Sequence, residues 1–302
     1  MKNVFLCSGQ GSLKPGVGKT LYDKNPQFKQ QFQEISRIMG EDISSYTWGG
    51  RRMSLSQNAL VSHRVLFALT WSLYQTLKEN GKEADLFMGH SLGQLISTIL
   101  SGSLSLDQGL DFINFRGECF EKNKQEASSE MAAILGPDVS SYLQEMEEIT
   151  GVYGANFNTP DQIVVSFLMD AFPLLQELAD RRKLKLVRLQ VGNGCHSPLV
   201  GAFDQALKEK IETLNFLPPQ IPLWSTQGSG LLDTPEKIKS EWLSHLIAPV
   251  YWHRSLVELS HRGNQMSYLD LGFGKVIKGL VMGWNPLASV ETGEALLTGQ
   301  PA

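Results

Sequence analysis

The chain has 302 residues, 42% of them hydrophobic and 19% charged, and a net charge of −4. This is the make-up of an ordinary globular protein, and the charge argues against a nucleic-acid-binding surface. No apolar run nears the roughly 20 residues that span a bilayer, so no membrane partner is expected. In chain order, residues 4–7 read as a buried strand, too short for the apolar part of a signal peptide. They run into a glycine-rich turn, Ser8-Gly9-Gln10-Gly11-Ser12. Residues 26–39 and, more strongly, 65–77 place apolar side chains on one helical stripe. A short strand at 86–88 is followed by helices at 94–100 and 106–120. From residue 130 the texture changes: strands at 131–135, 163–166 and 184–189 alternate with helices at 139–150 and 174–182. This β-α-β-α-β stretch suggests a small ferredoxin-like unit inserted into a larger one. A helix at 199–214 and an extended segment at 222–225 follow.

The expected fold is therefore α/β. A larger α/β-hydrolase-like subdomain would take residues 1–126 and 192–302, and a ferredoxin-like subdomain residues 127–191. Two glycine-rich segments are decoys. Gly16-Val17-Gly18-Lys19-Thr20 ends like a phosphate-binding loop, but Leu13 stands where the leading glycine belongs, and no strong helix is evident at the lysine. Gly9-Gln10-Gly11 lacks the third glycine of a dinucleotide fingerprint. The three cysteines, Cys7, Cys119 and Cys195, form neither an even framework nor a metal spacing. Reduced thiols, a cytoplasmic location and no metal site are the corresponding expectations.

Chemistry enters at Gly89-His90-Ser91-Leu92-Gly93. A Gly-X-Ser-X-Gly between a short apolar strand and a helix is the setting of a nucleophile elbow, which lifts a serine hydroxyl clear of the backbone. The helix that follows directs N–H groups and the positive end of its dipole at developing negative charge. A tight turn whose serine only caps the helix would look similar. A second site favours catalysis: His196 stands at a strand-to-loop junction, followed by Ser197-Pro198. His63, His245, His253 and His261 read instead as satisfied core or surface residues.

Seven motifs occur in one order: Gly9-Gln10-Gly11-Ser12, the elbow, Arg116-Gly117-Glu118, the stretch from Ala155 to Gln162, His196-Ser197-Pro198-Leu199, Pro249-Val250-Tyr251-Trp252 and the stretch from Gly272 to Leu280. Together they resemble the malonyl-CoA:acyl-carrier-protein transacylases of fatty acid synthesis, a family that includes the acyltransferases of polyketide synthases. The resemblance runs from about residue 4 to 280. It implies Ser91 as nucleophile, His196 as general base and acid, and the N–H groups of Gln10 and Leu92 as oxyanion donors. No aspartate would complete a triad; the backbone carbonyl of His245 would orient His196. His90 would line and position the pocket. The substrates would be a coenzyme A thioester, malonyl-CoA or a relative, and an acyl carrier protein, with no bound cofactor.

Arg116 sets the substrate class, because a guanidinium fork matches a carboxylate in two places and stays charged when buried. In the family this arginine grips the free carboxylate of a malonyl group; a bridge to Glu118 or Glu121 on its own helix is the alternative. The segment Asn193-Gly194-Cys195 departs from the usual pattern. Gly194 would leave room beside the acyl α-carbon, Asn193 would add a hydrogen-bonding group, and Cys195 would line the pocket. Val61-Ser62-His63, Leu13 and Phe167 depart as well, which fits secondary metabolism: an acyltransferase acting in trans on polyketide carrier proteins, or one for a substituted malonyl unit supplied from a carrier protein. A hydrolase that clears stalled acyl groups and a non-catalytic docking protein are the competing classes. Arg51-Arg52 and Arg181-Arg182-Lys183 with Lys185 are candidate basic patches for an acidic carrier protein, although solvated faces are the better reading of each.

Overall fold

Alternation along the first strand builds the centre of the molecule. In the computed structural model, which describes residues 2–49, 58–124, 128–189, 191, 193–201, 203–228, 230–263 and 265–299, β1 (Lys2–Cys7) lies parallel to β2 (Leu86–Gly89). Successive strand residues point to opposite faces. Phe5, Cys7 and Phe87 therefore join the core on one side of the sheet, and Val4, Leu6, Leu86 and Met88 the core on the other. Burial on both faces explains why these strands are continuous apolar runs rather than alternating ones.

The second sheet is antiparallel and comes from residues 129–189. It contains β3 (Ser129–Leu135), β4 (Val152–Thr159), β5 (Gln162–Leu168) and β6 (Lys185–Leu189), in the order β4-β5-β3-β6. With a helical segment after β3 and another after β5, this is the ferredoxin-like β-α-β-β-α-β arrangement. The sequence reading missed β4, whose asparagines and glycine dilute the strand pattern. The remaining strands, β7 (Leu223–Ser225), β8 (Gly230–Leu232), β9 (Met266–Asp270) and β10 (Val290–Thr292), complete the first sheet in the order β10-β9-β1-β2-β7-β8. Only β8 runs antiparallel to its neighbour.

The two sheets are joined by backbone hydrogen bonds. Phe157 N–H donates to the Val250 carbonyl at 2.8 Å and Val250 N–H to the Ala155 carbonyl at 2.9 Å. This bridge brings β4 against the loop before the Trp252–Ser260 helix and closes one side of the cleft between the sheets. The helix expected at 199–214 is shorter. Residues 198–200 make a 3₁₀ turn, Gly201 takes φ 61°, and the helix proper is Phe203–Glu212. Among the described residues no helix is long and apolar enough to cross a membrane.

Candidate active site

Ser91 sits where a strand becomes a helix within two residues. β2 ends at Gly89 and the Leu92–Leu100 helix begins at once, leaving Ser91 at φ 50° and ψ −123°. A side-chain-bearing residue adopts that region only where its surroundings hold it there. Both flanking glycines are required sterically. A Cβ on Gly89 would lie 2.2 Å from the Gln94 nitrogen, and one on Gly93 2.2 Å from the Cys7 carbonyl oxygen. The elbow is thus wedged between its own helix and the end of β1.

His196 reaches the serine from the loop after β6, itself at φ 59° with its N–H donating to the Leu246 carbonyl at 2.6 Å. Its Nε2 lies 2.8 Å from Ser91 Oγ, and its Nδ1 3.2 Å from the Ala248 carbonyl. A carbonyl can only accept, so Nδ1 carries the proton and Nε2 receives the serine hydroxyl. The expected orienting carbonyl, that of His245, needs correction. The 3.2 Å bond is made by Ala248, three residues on, because the chain beyond the Pro235–Ser244 helix turns its later carbonyl toward the ring. The His245 carbonyl adds to the same pull as a lesser contributor. Burial, then His90 and Arg116, push the His196 pKa down to about 3, with both carbonyls opposing. The ring is held neutral.

Arg116 enters from the Leu106–Lys124 helix and is 3% exposed. Its Nη1 donates to His63 Nε2 at 2.7 Å, and its guanidinium lies 4.2 Å from the centre of the Phe120 ring. The bridge to Glu118 or Glu121 does not form; Glu121 accepts from the Ala59 N–H instead. Among the described residues no carboxylate pairs with Arg116. Burial lowers its pKa to about 10, which leaves it cationic at neutral pH. The arginine supplies only donors, so His63 must be neutral at Nε2, and burial followed by Arg116 holds its pKa well below the usual range. His63, read from sequence as an ordinary core or surface residue, therefore belongs to the site; the ring of His245, of which only the carbonyl was expected there, meets His196 edge-on at 5.5 Å. For His63 the available signal was a histidine set within the apolar run of the Ala59–Glu79 helix.

A cavity of about 300 Å³ joins these groups. Ser91, His196, Arg116, Gln10 and Leu92 line it, with His90, Asn158, Met131, Ala133, Val164, Leu189 and Cys195. Gln10 opens a 3₁₀ turn and Leu92 opens its helix, and first-turn N–H groups have no partner within their own helix. His90 Nε2 lies 2.8 Å from Asn158 Oδ1, whose Nδ2 donates to Gln162; Nε2 is therefore the donor. Asn158 stands in the motif from Ala155 to Gln162, but its role escaped the sequence reading because it depends on a strand that was missed.

Two residues of the Asn193-Gly194-Cys195 segment are not where they were expected. Asn193 does not line the cavity: its Oδ1 accepts from Asn123 at 2.6 Å and its Nδ2 donates to the Phe120 carbonyl at 3.4 Å. It ties the loop to the helix that carries Arg116. Gly194 opens no space for an acyl group, since a Cβ there would meet Ser129 Oγ at 3.0 Å and Leu199 Cβ at 3.2 Å. Cys195 does line the cavity, with its thiol pKa pushed up to about 12 by burial. Of the basic patches, Arg51-Arg52 lies outside the described residues, and Arg181 and Arg182 are both engaged by Glu145, at 2.6 and 2.8 Å. Lys19 of the phosphate-loop decoy pairs with Asp23 on the short Lys19–Lys24 helix.

Residues 4–267 match the family model described as "Acyl transferase domain". Over 287 residues the chain is 30% identical to the malonyl CoA-acyl carrier protein transacylase of Bacillus subtilis, covering 93% of this chain and 89% of that one. A solved malonyl-CoA:acyl carrier protein transacylase from Xanthomonas oryzae superposes with a TM-score of 0.89 at 26% identity, covering 100% of both chains. A malonyl-transacylase solved with a type II polyketide acyl-carrier protein gives a TM-score of 0.90 at 23% identity, covering 99% of this chain and 100% of that one.

Proposed function

Because the chain belongs to the acyl transferase domain family, we propose that it moves a malonyl-type acyl group from coenzyme A, through an ester on Ser91, to the phosphopantetheine thiol of an acyl carrier protein. The observation that carries the substrate class is Arg116, a buried cation in the serine's cavity whose charge no carboxylate among the described residues takes up. The Bacillus relative bears the same activity in its name, and a relative named as a polyketide synthase protein of Streptomyces orinoci supports a place in polyketide synthesis.

In the first half-reaction Ser91 Oγ attacks the thioester carbonyl carbon while its proton passes to His196 Nε2. The oxyanion is received by the N–H groups of Gln10 and Leu92, an arrangement in which one lost donor typically costs about 10²–10³ in rate. The C–S bond then breaks, and His196 Nε2 returns the proton to the leaving thiolate. In the second half the carrier-protein thiol gives its proton to His196 and attacks the seryl ester, and Ser91 leaves with that proton. The Nδ1–H bond to Ala248 does the orienting work of a triad carboxylate. Arg116 disfavours a charged His196. A substrate carboxylate on Arg116 offsets that repulsion, so a dicarboxylic donor makes His196 a better base than a simple acyl chain does.

Intact-mass analysis tests the proposal. Malonyl-CoA should load one malonyl group that Ser91→Ala abolishes, and a carrier protein bearing phosphopantetheine should remove it. Loss of the ester in buffer alone, at the same rate, would identify an editing hydrolase instead. A substituted malonyl unit remains a second reading, supported by Cys195: a small side chain beside His196 leaves an apolar wall of Met131, Ala133 and Val164 open to an α-substituent.

A further inference from the structure

Behind the elbow lies a buried polar network that the transfer chemistry does not use. Gln94 is 1% exposed in the first turn of the Leu92–Leu100 helix, and Glu241 is 7% exposed on the Pro235–Ser244 helix. Gln94 Oε1 accepts from the Gly89 N–H at 2.7 Å. Gln94 Nε2 donates to the Trp224 carbonyl and to Glu241 Oε1, each at 3.0 Å. Glu241 also accepts from the Thr226 N–H at 3.3 Å and from Ser225 Oγ. The Ser225 oxygen in turn accepts from the N–H groups of Gln227 and Gly228, which leaves its own proton for the carboxylate. Thr226 Oγ1 closes the circuit by donating to the Gly89 carbonyl at 3.2 Å.

The N–H and the carbonyl of Gly89, two residues ahead of Ser91, are thus both held by side chains. The Gln94 amide serves only in the orientation that faces its oxygen to Gly89; turned over, it would oppose N–H to N–H at Gly89 and oxygen to oxygen at Trp224. Every contact on the Glu241 carboxylate is a donor, which suits an ionised acceptor. We propose that Glu241 is a positioning residue for the nucleophile: as an ionised acceptor it locks the Gln94 amide and the Thr226 backbone, which pin Gly89 and keep the strained elbow aimed at His196. The proposal rests on Ser91 being the nucleophile, but not on which acyl group it carries.

The test uses a fluorophosphonate probe that reacts with an activated serine, scored by intact mass, so that it is independent of malonyl transfer. Glu241→Gln keeps the shape and removes the charge. It should slow Ser91 labelling and malonyl kcat together by about tenfold to a hundredfold, the scale of a small misplacement of a reacting group, while KM for malonyl-CoA stays within about twofold. Gln94→Glu sets two carboxylates against each other. It should be the slower variant at pH 8 and recover toward pH 6, where the pair shares a proton. Adding Glu241→Gln to it should restore labelling and remove that pH dependence. Labelling by Glu241→Gln at the wild-type rate, with or without a lower melting temperature, would overturn the proposal. So would a Gln94→Glu/Glu241→Gln protein no faster than Gln94→Glu alone. A wild-type protein that takes the probe but not malonyl-CoA would instead count against the transferase reading.

Discussion

Replacing Arg116 with alanine should convert a dicarboxylate-selective site into an indifferent one. Arg116 is buried, cationic and unpaired with any carboxylate among the described residues, held in place by His63 and Phe120. A bound malonyl carboxylate would therefore be desolvated against a preorganised fork, and truncating one partner of such a pair costs about 2–5 kcal/mol. At about 1.36 kcal/mol per tenfold, the kcat/KM for acylation of Ser91 by malonyl-CoA should fall roughly 30-fold to 5,000-fold. Acetyl-CoA has no carboxylate to lose, so its kcat/KM should change by less than about threefold, or rise. Rapid-quench acylation followed by intact mass gives both numbers in the wild type and in Arg116→Ala. Arg116→Lys should recover malonyl only in part, because an ammonium offers a point charge in place of a fork. The free enzyme buries this cation without a carboxylate, so Arg116→Met should melt close to the wild type, the relieved desolvation offsetting the lost His63 hydrogen bond. A malonyl-to-acetyl ratio unchanged by Arg116→Ala would refute the carboxylate clamp.

Further outcomes follow from the same geometry. With the His196 pKa depressed to about 3, the base stays neutral across the neutral range. The kcat/KM for acetyl-CoA should then be flat between about pH 5 and 8, and an acid limb near 6.5 would show an ordinary histidine. Asp270 is buried at the end of β9, accepting from the N–H groups of Gly272 and Lys278, and burial raises its pKa from 3.8 to about 6. Its folded pKa is the higher one, so its contribution to stability is present below pH 4 and lost as pH rises through 6. The loss is roughly 3 kcal/mol, and urea melts of wild type against Asp270→Asn should show it as a slope that the variant lacks. Gly93→Ala must displace the Cys7 carbonyl, 2.2 Å from the new Cβ, and should lose about 3 kcal/mol, the upper end for overpacking, in the same melts. Cys195→Phe should depress acylation by methylmalonyl-CoA at least about tenfold more than acylation by malonyl-CoA; equal effects would place the α-substituent elsewhere.

What the sequence determined by itself is local. Two glycines around Ser91 announce an elbow because a Cβ at either one collides with backbone only a few residues away or on the neighbouring strand. Apolar runs such as residues 4–7 announce strands buried on both faces. The order of motifs along the chain indicated the family and, through it, His196 and Arg116. The tertiary structure decided how those residues meet. Whether Ala248 or His245 turns its carbonyl to His196 depends on the path of a loop after a helix, which no side-chain pattern records. Asn193 and Gly194 stand beside Cys195 in the chain, yet only Cys195 faces the cavity, because the turn closed by the Cys195 N–H on the Asn193 carbonyl aims neighbouring residues different ways. His63 looked like core because it is core; it stands 53 positions from Arg116 in the sequence, and only folding brings the two side chains to 2.7 Å. Gln94 and Glu241 are likewise separated by 147 residues and joined by one hydrogen bond. Periodicity and sterics act over a few residues and are written in the chain. Charge, hydrogen bonding and cavity shape depend on partners brought together from distant segments, and those are set only when the two sheets close on each other.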